Sequence, residues 1–165
     1  MAEVSYYFNG YAAGVEEWGV TPANMVDGSI ATFAKSDNIT QVEALTGNTC
    51  VGTDLGTITA VHLRLYGKTD QSEGTPRVNL RPVFGISGDG DDHENFVYSS
   101  PAWTDWVDIT TDTNAPSPWT WADIHDGMAS QLWCDVIAVE SDNYCAKVEI
   151  KVTYTSSARR GWWSK

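Results

Sequence analysis

Leucine is scarce in this chain: six residues in 165, against seventeen threonines and fifteen valines. Leucine fills helical cores while β-branched residues suit strands, so the imbalance excludes a helical bundle and points to a β protein. Basic residues are also few. Ten Lys and Arg face 22 Asp and Glu, a net charge of −12. A nucleic-acid binder needs a basic face against the phosphates, so nucleic acid is excluded as a main partner. No apolar run approaches the ~20 residues of a membrane-spanning helix, and no membrane insertion is expected. The opening residues Met1-Ala2-Glu3-Val4 lack the basic and apolar stretches of a secretory leader, so no signal peptide is read in this chain. Catalytic motifs are missing too. His62, His93 and His125 are the only histidines, and no two fall at metal-ligand spacing. There is no His-Glu-x-x-His, no Gly-x-Ser-x-Gly and no phosphate-cradling glycine loop. Pairs such as Asp105 and Asp108 occur in any acidic chain, and only their separation in space decides whether they serve a glycosidase. The expectation is a protein that is not an enzyme.

What is present is alternation. In 58–66, Val61, Leu63 and Leu65 share one face; in 145–154, Ala146, Val148, Ile150, Val152 and Tyr154 do the same. Each reads as a strand with an apolar inner face and a half-polar outer one. The segment 77–84 is a third strand, which Pro82 restricts to an edge or a bulge. A fourth, 132–139, is almost continuously apolar and is expected to be central. Shorter candidates are 4–11, 30–34, 39–45, 96–98 and 106–109. One helix is expected, capped by Ser117, with Pro118 in its first turn and Gly127 at its end. Its buried stripe is Trp121, Ile124 and Met128. The predicted fold is all-β: a two-sheet antiparallel β-sandwich (jelly roll) of about nine strands with one short helix. Residues 1–155 form the single domain, followed by a C-terminal arm, 156–165.

Between Arg81 and Lys147 there is no Lys or Arg but there are twelve acids. Within it, 88–94 offers Asp89, Asp91, Asp92 and Glu94. That is either a hairpin tip or a calcium loop, although the full EF-hand pattern is absent. Cys134 and Cys145 are read on consecutive antiparallel strands, whose Cα atoms lie within disulfide range. The other reading is three buried free thiols acting as small hydrophobes, Cys50 included.

Eight tryptophans need places. Trp121 and Trp133 belong in the core. Trp103 and Trp106, if exposed, are the pair to stack on sugar rings. Trp162 and Trp163, beside Arg159 and Arg160, form an arm that either folds back or docks on a neighbouring copy, where the acidic stretch is its complement.

The stretch Asn24-Met25-Val26-Asp27-Gly28-Ser29-Ile30-Ala31-Thr32-Phe33 resembles the early motif of galactose-binding-like jelly rolls of the discoidin or coagulation-factor type C style. Residues 146–152 resemble that fold's closing strand. In the family, calcium often sits between the Asp-Gly loop and a carboxylate of the last strand. The resemblance thus implies Asp27 and Glu149 as ligands of a structural calcium. No sugar-binding Arg/His pair maps onto the chain. The second half, with Pro118-Trp119-Thr120-Trp121 ahead of a strand, resembles small β-sandwich modules of tailed-virus particles, which serve as capsid decoration or tail-appendage proteins.

Two functions follow. The first is a structural subunit of an ordered assembly, in a virion or an extracellular filament, whose partners are other copies of itself or other particle proteins. The alternative is a carbohydrate-binding module with glycan as its partner.

Overall fold

The computed structural model describes residues 1–12, 18, 19, 21–36, 38, 41–70, 76–85, 87–136 and 142–156, the side chains of residues 133, 135 and 136 excepted. Among the described residues eleven strands form: β1 Ala2–Ala12, β2 Ala34–Ser36, β3 Val42–Asn48, β4 Gly56–Thr69, β5 Arg77–Phe84, β6 Gly88–Asp89, β7 His93–Phe96, β8 Ala102–Trp103, β9 Val107–Asp108, β10 Met128–Val136 and β11 Asn143–Ser156. A 3-10 turn spans Pro22–Met25 and one helix, α1, spans Trp121–His125.

Every pairing is antiparallel. In the front sheet β11 lies between β4 on one side and β1 and β2 on the other, and β8 and β9 extend β4. In the back sheet the order runs β1, β3, β10, β5, with β6 and β7 sharing the far edge. β1 belongs to both: Ala2–Tyr7 pair with β11, and Phe8–Ala12 pair with β3. The protein is the expected two-sheet antiparallel β-sandwich with one short helix.

The core lies between the sheets. Val61, Leu63 and Leu65 of β4 face it, as do Val148, Ile150 and Val152 of β11, so the period-2 reading of both strands holds. From the back sheet come Leu45, Val78, Leu80 and Leu132, and Trp18, Met25, Trp121 and Ile124 close the ends. Each large side chain removed from water in this way contributes about 1.5–3 kcal/mol.

Several expectations need correction. The 77–84 strand is not an edge. β10 pairs along its whole length, while β7 covers Arg77–Leu80 and β6 covers Val83–Phe84 on the other side. Pro82 falls in the gap between those two partners, where no ladder requires its missing N–H, and its carbonyl accepts from Gly90 N–H at 2.8 Å. The helix starts at Trp121, not after Ser117. Thr120 is the N-cap, and Thr120 and Asp123 satisfy each other's backbone N–H groups in a capping box. The Ser117–Pro118 peptide is cis and lies outside the helix. The 30–34 segment bends rather than extends. Asp27 accepts from Ser29 N–H at 2.7 Å and from the Thr32 hydroxyl at 2.6 Å, and Gly28 has φ +80°, so the chain turns until β2 begins. β6 and β8 were not expected, since two-residue strands are too short to show a period. β10 begins earlier than 132, and residues 137–139 of that prediction lie outside the described residues, as do 157–165 of the arm.

Cys134 and Cys145 are not strand neighbours. β10 lies in the back sheet and β11 in the front one, so the two thiols approach through the core and not across a hairpin. All three cysteines are buried and free.

Candidate functional site

After β7, at the edge of the back sheet, the chain crosses to the front sheet and reaches β8. Val97 N–H donates to Pro76 O at 3.2 Å, and one residue later Tyr98 O accepts from Thr69 N–H of β4 at 3.0 Å. The segment after β8 is pinned to β4 as well: Thr104 N–H donates to Leu65 O at 2.9 Å, and Leu65 N–H donates to the Thr104 hydroxyl at 3.1 Å. Between these anchors the open rim of the sandwich holds a cleft of about 340 Å³.

Alternation along 93–98 decides what the cleft receives. Asn95 and Val97 turn inward, so Phe96 and Tyr98 turn out, 48 % and 68 % exposed. Both line the cleft, and Trp103 forms another wall. The Trp103 ring lies opposite Tyr66 in register and contacts it edge-on at 5.2 Å. Glu94 and Asp105 supply carboxylates at the rim, and the buried Asn95 also borders the cleft. Glu94 is tied to Arg77 at 2.5 Å, and the Asn95 amide donates to His93 O at 3.0 Å. Aromatic faces beside carboxylates match a ligand with flat C–H faces and hydroxyl edges.

Behind Trp103 lies the outer face of the front sheet. Arg64 of β4 places its guanidinium carbon 4.0 Å from the Trp103 ring centroid and 4.1 Å from that of Trp106. Its Nε and Nη2 both donate to one oxygen of Glu149, at 3.0 and 2.7 Å. Lys151 stands 4.7 Å from the Trp106 ring. Beside it His62 lies opposite Lys151 on β11 and Asp108 on β9. Burial pushes the His62 imidazole below its ordinary value, with Asp108 opposing.

The sequence-predicted residues are distributed as follows. Trp103 lines the cleft. Trp106 does not; it packs on Arg64 and Lys151. Asp105 lines the cleft, whereas Asp108 bonds the Thr110 backbone and hydroxyl at 2.9 and 2.5 Å, so they are not a facing pair. Asp27 and Glu149 each have partners within the chain. Asp27 is occupied by its own turn, and Glu149 by Arg64 and by Lys147 at 3.5 Å. In the 88–94 loop Arg81 pairs with Asp89 and Asp92, at 3.4 and 2.5 Å, and Asp91 accepts from Thr113 N–H at 3.2 Å. Those Thr113 bonds hold the Asp91 carboxyl below its ordinary range. Among the described residues no group of three or more His, Cys, Asp or Glu is arranged to hold a metal ion. Trp121 is buried as expected; the Trp133 side chain and the arm residues Arg159, Arg160, Trp162 and Trp163 lie outside the described residues. Sequence reasoning missed Phe96 and Tyr98 as cleft residues. The available signal was the placement of two aromatics two residues apart, out of phase with the inward Asn95 and Val97.

No family model matches the chain, and no curated protein matches it. A solved structure described as "CBM4 structure and function" is similar over 94% of this chain and 94% of that one, at 12% sequence identity and a TM-score of 0.38.

Proposed function

We propose that this domain binds glycans without transforming them, in the cleft walled by Phe96, Tyr98 and Trp103. The observation that carries the reading is the pair of exposed aromatics, Phe96 and Tyr98, sharing one cleft with Trp103. A large aromatic left in water is an apolar liability unless a ligand covers it. Sugar rings present an apolar C–H face to such side chains, and their hydroxyls donate to carboxylates such as Glu94 and Asp105. A general acid is built in a desolvated, apolar pocket. Asp105 and Glu94 are instead exposed, and Glu94 is bound to Arg77.

The test is a glycan microarray followed by affinity gel electrophoresis in soluble neutral polysaccharides: mixed-linkage β-glucan, xylan and galactomannan. Trp103→Ala and Tyr98→Ala are each expected to weaken binding about tenfold, as loss of an aromatic anchor does. No reducing ends should accumulate. A wild-type protein retarded by no polysaccharide and silent on the array sinks the reading.

A further inference from the structure

We propose that Arg64 is a positioning residue for the cleft: it does not line the site, but it sets the orientation of the Trp103 wall. This inference rests on the glycan-binding reading above. The guanidinium is fixed in two independent ways. Its edge is held by Glu149, which takes Nε and Nη2 on one oxygen at 3.0 and 2.7 Å. Its guanidinium carbon also lies over two indoles, 4.0 Å from the Trp103 centroid and 4.1 Å from that of Trp106. A planar, delocalised cation does both at once, because stacking uses its faces and hydrogen bonding uses its edge.

The two tryptophans come from the segment that runs from β8 to β9 along β4. β8 contributes two register pairs with β4, at Tyr66 and Gly67, and β9 two more, at His62 and Leu63. Between them Thr104 is bonded to Leu65 in both directions, and residues 105 and 106 lie outside the strands. Arg64 meets both indoles of this segment, Trp103 at the end of β8 and Trp106 just before β9. Tyr66 meets Trp103 edge-on, with centroids 5.2 Å apart, whereas Arg64 lies over the ring at 4.0 Å and so bears on its tilt. Once Arg64 is replaced, Trp103 gains rotamer freedom that ligand binding must then take away, and affinity falls although no ligand contact has been deleted.

Lysine keeps the charge at position 64 but offers no plane to lie over the rings and no fork for Glu149. Affinity electrophoresis in whichever of the three polysaccharides retards the wild type is therefore run on Arg64→Lys, Arg64→Ala, Trp103→Ala and the double variant Arg64→Lys/Trp103→Ala, with melting temperatures measured alongside. Arg64→Lys should weaken binding about fivefold and Arg64→Ala about tenfold, while the double variant binds no more weakly than Trp103→Ala alone, since coupled residues are not additive. A role in stability alone would lower the melting temperature and leave affinity untouched. The inference is overturned if Arg64→Lys binds within about twofold of wild type, or if its loss persists undiminished beside Trp103→Ala. Wild-type protein that no polysaccharide retards overturns the glycan reading and this inference with it; wild-type binding with Arg64→Lys unchanged overturns this inference only. Should Arg64→Ala fail to fold, Arg64→Lys and its double variant carry the test.

Discussion

Glu149 stands opposite Arg64 across β11 and β4, and the pair is only partly open to solvent, 13 % and 24 % exposed at the side chains. The resemblance to galactose-binding-like jelly rolls implied a calcium ligand at Glu149, but the carboxylate already faces two cations, Arg64 and Lys147. Glu149→Gln keeps the shape and removes the charge. It leaves the guanidinium, itself half-enclosed by two indoles, without its counter-ion, so a loss of about 1–3 kcal/mol is expected. Urea unfolding measures it. Adding calcium or EDTA should leave the wild-type midpoint unchanged, since a bound ion would raise it by mass action. A midpoint that rises with calcium in wild type and not in Asp27→Ala would restore the metal site.

His62 gives the outer face a pH dependence. Burial is the main cause of its lowered value; Asp108 and Glu3 act the other way, and Lys151 adds to the lowering. Its Nδ1 has no hydrogen-bond partner among the described residues. The folded imidazole therefore takes up a proton less readily than the unfolded one, whose ordinary value is 6.5. Between 6.5 and the lower folded value the unfolded state binds more protons, so stability falls as pH drops through that window. Partial solvation keeps the effect small. His62→Gln should melt with less loss between pH 7 and pH 5 than wild type. Parallel curves for the two proteins would refute it.

How much of this was legible in the chain depends on how locally each feature is determined. β4 and β11 each bury one face against the core, so Val61, Leu63, Leu65, Val148, Ile150 and Val152 write that face directly into the sequence. The change of partner within β1 leaves no such mark. Val4, Tyr6 and Phe8 keep one alternation while the hydrogen-bonded neighbour switches from β11 to β3. Pro82 was read correctly as lacking a donor, but the gap between β6 and β7 that absorbs it is a property of two other strands. The same holds for the cleft. Trp103 is recognisable as an aromatic able to meet a sugar, yet its companions are Phe96, at the end of β7 in the other sheet, and Tyr98, on the segment that crosses to β4. Arg64, the residue behind Trp103, comes from a strand about forty residues earlier.

At α1 the cap lies three residues beyond Ser117, at Thr120. Thr120 accepts from Asp123 N–H at 3.3 Å, and the Asp123 carboxylate accepts from Thr120 N–H at 2.7 Å. A helix of five residues has few internal bonds to lose, so this reciprocal pair is a large share of what defines its start. Thr120→Ala should cost about 1 kcal/mol, within the usual 0.5–2 for a lost cap. In a chain of this length that is a fall of roughly 2–4 °C in melting temperature. Ser117→Ala, at the cap first expected, should be neutral within error. The reverse ranking would place the helix start where the sequence first suggested it.

The thiols offer the last test. Cys145 is fully buried on β11, and burial pushes its thiol up to about 12; Cys134 on β10 is pushed up by the same cause, against the lowering influence of the polar side chains of Ser36 and Asn143. The thiolate is the reactive species, so both groups are inert for two reasons, absence of solvent and absence of charge. Cys50 is buried as well. With Ellman's reagent at pH 8, none of the three should react promptly in the folded protein, and any slow reaction should follow the rate of local opening. In guanidinium without reductant all three should titrate, and dithiothreitol should leave the melting temperature unchanged. If only one titrates until reductant is added, Cys134 and Cys145 are joined after all. Two strands now seen in facing sheets would then be bonded through the core, and the packing of both around Ser36 and Asn143 would have to differ from that described.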